Sequence, residues 1–150
     1  MFALLTAVVL QSISEFVTGP LLQPFLHHSA KASPFRDVHS GAAVFGWLGL
    51  VWTFAAFGEE IGYRGYLLNR AAEVVGSLRA ALVIGLLWSS VLFGFGHWHQ
   101  GPAGVVGTAV DGLVLGTAYL LSGRNLWVTI LAHGFSDTYA IAITALGLAT

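Results

Sequence analysis

Glu59, Glu60 and Arg64 put three ionisable side chains into an apolar stretch, within the segment Glu59-Glu60-Ile61-Gly62-Tyr63-Arg64-Gly65. The run Gly41 to Gly58 before them contains no Asp, Glu, Lys, Arg or His. At membrane depth an ionisable side chain costs roughly 2.5–3.5 kcal/mol on insertion scales, so a cluster there points to a function. On a helix, residues four apart share a face, while neighbours diverge by about 100°. Glu60 and Arg64 are therefore placed to pair, and Glu59 points elsewhere without that partner. The spacing divides the carboxylates into a structural one, Glu60, and a reactive one, Glu59, suited to general-base chemistry. The competing reading is a purely structural charge network at a helix end.

Two further constellations follow. Phe93-Gly94-Phe95-Gly96-His97-Trp98-His99 places Phe93 and His97 on one helical face. A continuous helix aims His99 about 200° away from His97, so only one of them can serve a given centre; His97, deeper in the apolar segment, is preferred. His133-Gly134-Phe135-Ser136-Asp137 holds a second pair four apart. Asp137 there either orients the imidazole or shares a polar cavity with it. Asp111 is a further acid at apparent membrane depth, read as a cavity or packing group. Ser89 and Ser90 precede His97 but have no acidic residue to orient a Ser–His nucleophile.

The elements that must carry these groups are membrane helices. Of 150 residues, 56% are hydrophobic and 9% charged, against about 25% charged in ordinary soluble domains, and the mean hydropathy is +0.78. The near-neutral net charge and the lack of a basic run exclude nucleic acid as a partner. Absence of cysteine excludes disulfides and thiolate metal sites. The N-terminus lacks a basic region and a small-residue cleavage site, and reads as a first membrane helix.

Five helices are expected: Phe2 to Leu26, interrupted by Gly19-Pro20; Gly41 to about Ala72, closed by Gly76-Ser77; Leu78 to Trp98; Pro102 to Leu121; and Leu126 to Leu148. The only long polar loop runs from His27 to Ser40 and holds Lys31, Pro34, Arg36 and Asp37. No repeat or linker divides the chain, so residues 1–150 read as one membrane-embedded, all-α domain with an internal polar cavity. Gly112 and Gly116 form a GxxxG pair read as packing within the bundle. Trp47, Trp98 and Trp127 lie near helix ends, where interfacial tryptophan is expected. Alternating spans put Arg70, Arg79 and Arg124 opposite Lys31 and Arg36, which favours a cytoplasmic N-terminus.

In order along the chain, EEIGYR, FGFGH and HGFSD resemble the three motifs of the CPBP family of intramembrane endopeptidases, the CAAX proteases and bacteriocin-processing enzymes also called the Abi family. The similarity covers about Gly41 to Leu148, and LWVTILAHGFSDT resembles that family's final motif helix. The resemblance implies a helical membrane protease acting on membrane-associated peptides or proteins in a lipid setting, here the plasma membrane of a bacterium. Carried residue by residue, it makes Glu59 the base that activates water and His97 a residue that helps hold that water. His133 and Asp137 would stabilise the oxyanion or fix the substrate carbonyl, with Glu60, Arg64 and Phe93 in support. Family members end the last motif in Asn or Asp. An ionised Asp137 cannot donate to an oxyanion, so it must be protonated or act by orienting His133. Many members carry additional N-terminal helices, so the chain reads as a minimal member or as one whose start is missing.

No cofactor is expected. The alternative is a catalytic zinc on Glu59, His97 and His133, a two-histidine, one-carboxylate set. The alternative in function is a non-catalytic membrane immunity, scaffold or transport-associated module that keeps the polar cavity. Naive spans put Glu59 and His97 toward opposite membrane faces, offset by up to ~20 Å at 1.5 Å per residue. Hydrolysis requires that they meet; a separation above about 12 Å with no intervening cavity would defeat it.

Overall fold

The computed structural model describes residues 1–25, 35, 38, 40–76 and 79–148. Lys31, Pro34, Arg36 and Asp37 of the expected polar loop lie outside the described residues, as do Leu26, Ser77 and Leu78. The described chain is an all-α membrane bundle of five helical segments: α1 (Phe2–Leu22), α2 (Gly41–Val75), α3 (Arg79–Gly96), α4 (Gly101–Leu121) and α5 (Leu126–Ala145). α1, α2, α4 and α5 are long and apolar enough to cross a membrane. Phe16, Phe45, Phe54 and Trp127 are among the many large apolar side chains exposed on the outer surface, as expected where lipid is the solvent.

Local sequence sets the helix ends. The Ser40 hydroxyl accepts from the Ala43 N–H to cap α2, and Asn125 accepts from the Trp127 N–H to cap α5. Gly76 ends α2 with φ 126°, a conformation that penalises any residue with a side chain. The interruption expected at Gly19-Pro20 does not break α1. A π-helical turn over Ser14–Thr18 precedes it and the helix continues to Leu22. The Gly19 N–H reaches back to the Ser14 carbonyl, so the wider turn absorbs the proline.

α2 departs from a uniform α-helix. Val51–Glu59 and Ile61–Leu67 are both π-helical, with Glu60 between them. Such i→i+5 stretches are rare and concentrate at functional sites. Thr53 helps: its hydroxyl donates to the Gly49 carbonyl at 2.6 Å.

The helices pack as antiparallel neighbours. A Cβ on Gly94 of α3 would stand 2.5 Å from the Val105 carbonyl oxygen of α4, and one on Gly134 of α5 would stand 2.6 Å from the Trp52 ring of α2. Both positions therefore require glycine for helix approach. Gly112 packs on Ser90 and Gly116 on Leu86, so the GxxxG pair lies within the bundle. Phe35 and Val38, outside the helices, are buried against α2 and α5 in a cluster with Val51 and Ile141. Ser89 and Ser90 are buried and donate back to the Leu86 carbonyl.

The expected offset between Glu59 and His97 is absent: their side chains come within 4.0 Å. Glu59 lies 17 residues before Gly76, and His97 lies 18 residues after Arg79. At 1.5 Å per residue both stand about 26 Å from the reversal between the helices. The 35-residue α2 is long enough to carry its polar end, with Asn69, Arg70 and Glu73, beyond that level.

Candidate active site

The deepest part of the site is a closed polar cluster. Arg64 Nη1 donates to Glu60 Oε1 at 2.6 Å, and the two side chains are 1% and 0% exposed. The other arm of Arg64 donates to the Gly112 carbonyl at 3.3 Å. Its guanidinium sits 4.3 Å from the Phe93 ring centroid, a cation–π contact worth about 2 kcal/mol when desolvated. Phe93 in turn meets Tyr63 and His97 edge-on, each at 4.9 Å between centroids. A side chain in the position of Gly96 would collide with the Tyr63 hydroxyl, 2.8 Å from its Cβ.

Glu60 has a second partner that sequence spacing did not reveal. His133 Nδ1 lies 2.9 Å from Glu60 Oε1, while His133 Nε2 lies 3.5 Å from Asp137 Oδ2. Of the two arrangements expected for His133 and Asp137, the shared polar cavity is present. A carboxylate accepts, so His133 carries a proton on Nδ1 toward Glu60, and Glu60 sets the ring. Asp137 faces the other nitrogen at more than hydrogen-bond distance.

The second group looks outward into a cavity. Glu59 Oε1 and His97 Nε2 are 4.0 Å apart, with side chains 30% and 19% exposed. The His97 Nδ1 lies 2.9 Å from the Phe93 carbonyl. A carbonyl can only accept, so Nδ1 bears a proton, and Nε2 faces Glu59. Glu59 Oε2 is buried with no hydrogen-bond partner among the described residues.

Glu59, His97, His133 and Asp137 all line one cavity of about 330 Å³, whose other wall is apolar: Trp47, Leu50, Val51, Phe54 and Ala55 of α2, with Phe35. A second cavity of about 160 Å³ lies against the same groups. His97, Gln100, His133 and Asp137 line both, and Asp111, Thr108 and Ser136 line the second.

His99 also faces the larger cavity, contrary to the helical-phase expectation. α3 ends at Gly96, two residues short of the expected Trp98. His97 adopts φ −99° and ψ 24°, and Trp98–Gln100 form a 3₁₀ turn. The break brings the His97 and His99 rings to 5.9 Å. Gly96 and the Gly101-Pro102 pair that bracket this segment were the available signal. Trp47, assigned only to the interface, lines the cavity and meets Phe35 edge-on at 5.2 Å. Tyr63, Gln100 and Trp52 were also missed. Trp52 packs on Gly134 and donates to the Thr138 hydroxyl at 3.1 Å. No group of three His, Cys, Asp or Glu side chains among the described residues lies at the spacing that holds a metal ion.

The fold and site define a class: a helical membrane bundle with carboxylate and imidazole groups gathered around an internal cavity. Residues 41–139 match the family described as Rce1-like, type II CAAX prenyl endopeptidase, and the chain belongs to that family. That span takes in all three motifs. At family level this makes it an integral membrane protein and a CAAX-type intramembrane protease. No curated protein and no solved structure matches the chain.

Proposed function

We propose that the chain hydrolyses peptide bonds of membrane-associated peptides or proteins, with Glu59 as the base that activates water. The observation that carries this reading is the pairing of Glu59 Oε1 with His97 Nε2 across 4.0 Å, at the wall of a cavity that His133 and Asp137 also line. That separation is too long for a direct hydrogen bond and fits one water bridging two acceptors. Such a water offers one hydrogen to each. Glu59 takes a proton as the water oxygen attacks the scissile carbonyl, and His97 holds the other hydrogen.

Negative charge then develops on the carbonyl oxygen. One proton in the gap between His133 Nε2 and Asp137 Oδ2 supplies a donor for it. Glu60 fixes the His133 ring in the required plane, and Arg64 neutralises Glu60. The C–N bond breaks as Glu59 returns its proton to the leaving nitrogen. The products are a carboxylic acid and an amine, and Glu59 is regenerated. The apolar wall from Trp47 to Ala55 suits an apolar portion of the substrate. We place the protein in the plasma membrane of a bacterium.

We read the reaction as metal-free, with zinc on Glu59, His97 and His133 as the alternative. Glu59→Gln in the purified full chain should abolish cleavage of a membrane-peptide library and leave the melting temperature unchanged. Cleavage at wild-type rate by that variant would overturn the assignment. Turnover that persists after exhaustive chelation, with no zinc by elemental analysis, supports the metal-free reading; a stoichiometric zinc requirement defeats it.

A further inference from the structure

We propose that the smaller cavity is a side-chain subsite in which Asp111 selects a basic residue, Lys or Arg, next to the scissile bond. This rests on the peptidase reading above. His97, Gln100, His133 and Asp137 form the wall common to both cavities. A substrate carbonyl held at that wall presents an adjacent side chain to the mouth of the smaller cavity. Its volume of about 160 Å³ resembles the roughly 150 Å³ engineered cavity that takes benzene. It therefore admits the end of one side chain and not a continuing peptide.

The lining determines which side chain. Asp111 faces this cavity and makes no hydrogen bond or ion pair with another described residue. No Lys or Arg lines it. Arg64 is committed elsewhere, to Glu60 and the Gly112 carbonyl beneath Phe93. The Ser136 hydroxyl already accepts from Gln11 at 2.7 Å. His133, Arg64 and His97 act on Asp111 only at longer range, so the carboxylate lacks a hydrogen-bonded cation, and a substrate ammonium or guanidinium supplies one. Pairing inside a narrow, partly enclosed cavity discriminates, because a neutral side chain leaves the carboxylate without a charged partner.

The test uses the full chain in lipid nanodiscs and a proteome-derived peptide library, with cut sites read by mass spectrometry. Matched quenched peptides then carry Lys, Gln or Glu at the preferred flanking position. The readout is the Lys-to-Gln ratio of kcat/KM within each enzyme, which a general loss of folded protein leaves unmoved. The wild type should prefer Lys about tenfold or more. Asp111→Glu should keep that preference, Asp111→Asn should bring the ratio near one, and Asp111→Lys should favour Glu. A wild type without basic preference at either flanking position overturns the proposal, as does an Asp111→Asn enzyme that keeps the ratio. Uniform slowing of every peptide by Asp111→Asn, against a wild type with no preference, assigns the cavity to water and also overturns it. Wild-type cleavage by Glu59→Gln refutes the base assignment and leaves the selectivity ratio to stand on its own. A library left uncut by the wild type overturns both.

Discussion

Glu59 and Glu60 are consecutive residues in opposite surroundings. Glu60 is fully buried, and its Oε1 receives both Arg64 and His133. Glu59 is about a third exposed and stands 4.0 Å from His97; each carboxylate keeps its Oε2 without a partner among the described residues. The difference is the basis of the proposed division between a structural and a chemical carboxylate within one helical turn. Glu60, through Oε1, holds a cation and a ring in place at membrane depth. Glu59 faces a cavity where a reactant fits. The two halves touch through Phe93, which lies over Arg64 and against His97.

That comparison can be broken at several points. Glu59→Gln should lower kcat/KM by about 10³-fold, within the usual range for a general base, with an unchanged thermal melt in detergent. Glu60→Gln should instead lose fold and activity together. It leaves Arg64 buried without its counter-ion, a loss of roughly 3–5 kcal/mol, read as a fall in melting temperature. A Glu60→Gln protein with wild-type stability would erase the distinction drawn between the two carboxylates. Phe93→Leu should cost about 2 kcal/mol through the lost cation–π and edge contacts. It should also lower kcat more than it raises KM, because the His97 ring loses its support. Trp52→Phe sharpens the contrast from outside the site. It removes the hydrogen bond to Thr138 and should cost about 1 kcal/mol, with kcat preserved in the folded fraction.

Much of this was legible in the residues. The five helices follow from long apolar runs and the Gly, Pro, Ser and Asn residues that punctuate them. Glu60–Arg64 follows from spacing, and Gly112 and Gly116 from their small size. What escaped depends on contacts between distant segments or on departures from a regular helix. The Glu60–His133 bond joins residues 73 apart in sequence, and nothing local to HGFSD announces it. Assignment of His99 failed because helical phase was extended beyond Gly96, where the backbone had already changed. Depths assigned to Glu59 and His97 failed because α2 was treated as ending at the membrane surface. The tucked Phe35 came from a segment read only as polar loop.

α3 has 18 residues and rises about 27 Å, and Arg79 occupies its first position. Its apolar part is shorter than the roughly 30 Å hydrocarbon layer that its neighbours cross. A short span is accommodated by local thinning of the bilayer. Thinning at the Gly96 end would bring the headgroup boundary, and water with it, toward the cavity that His97 lines.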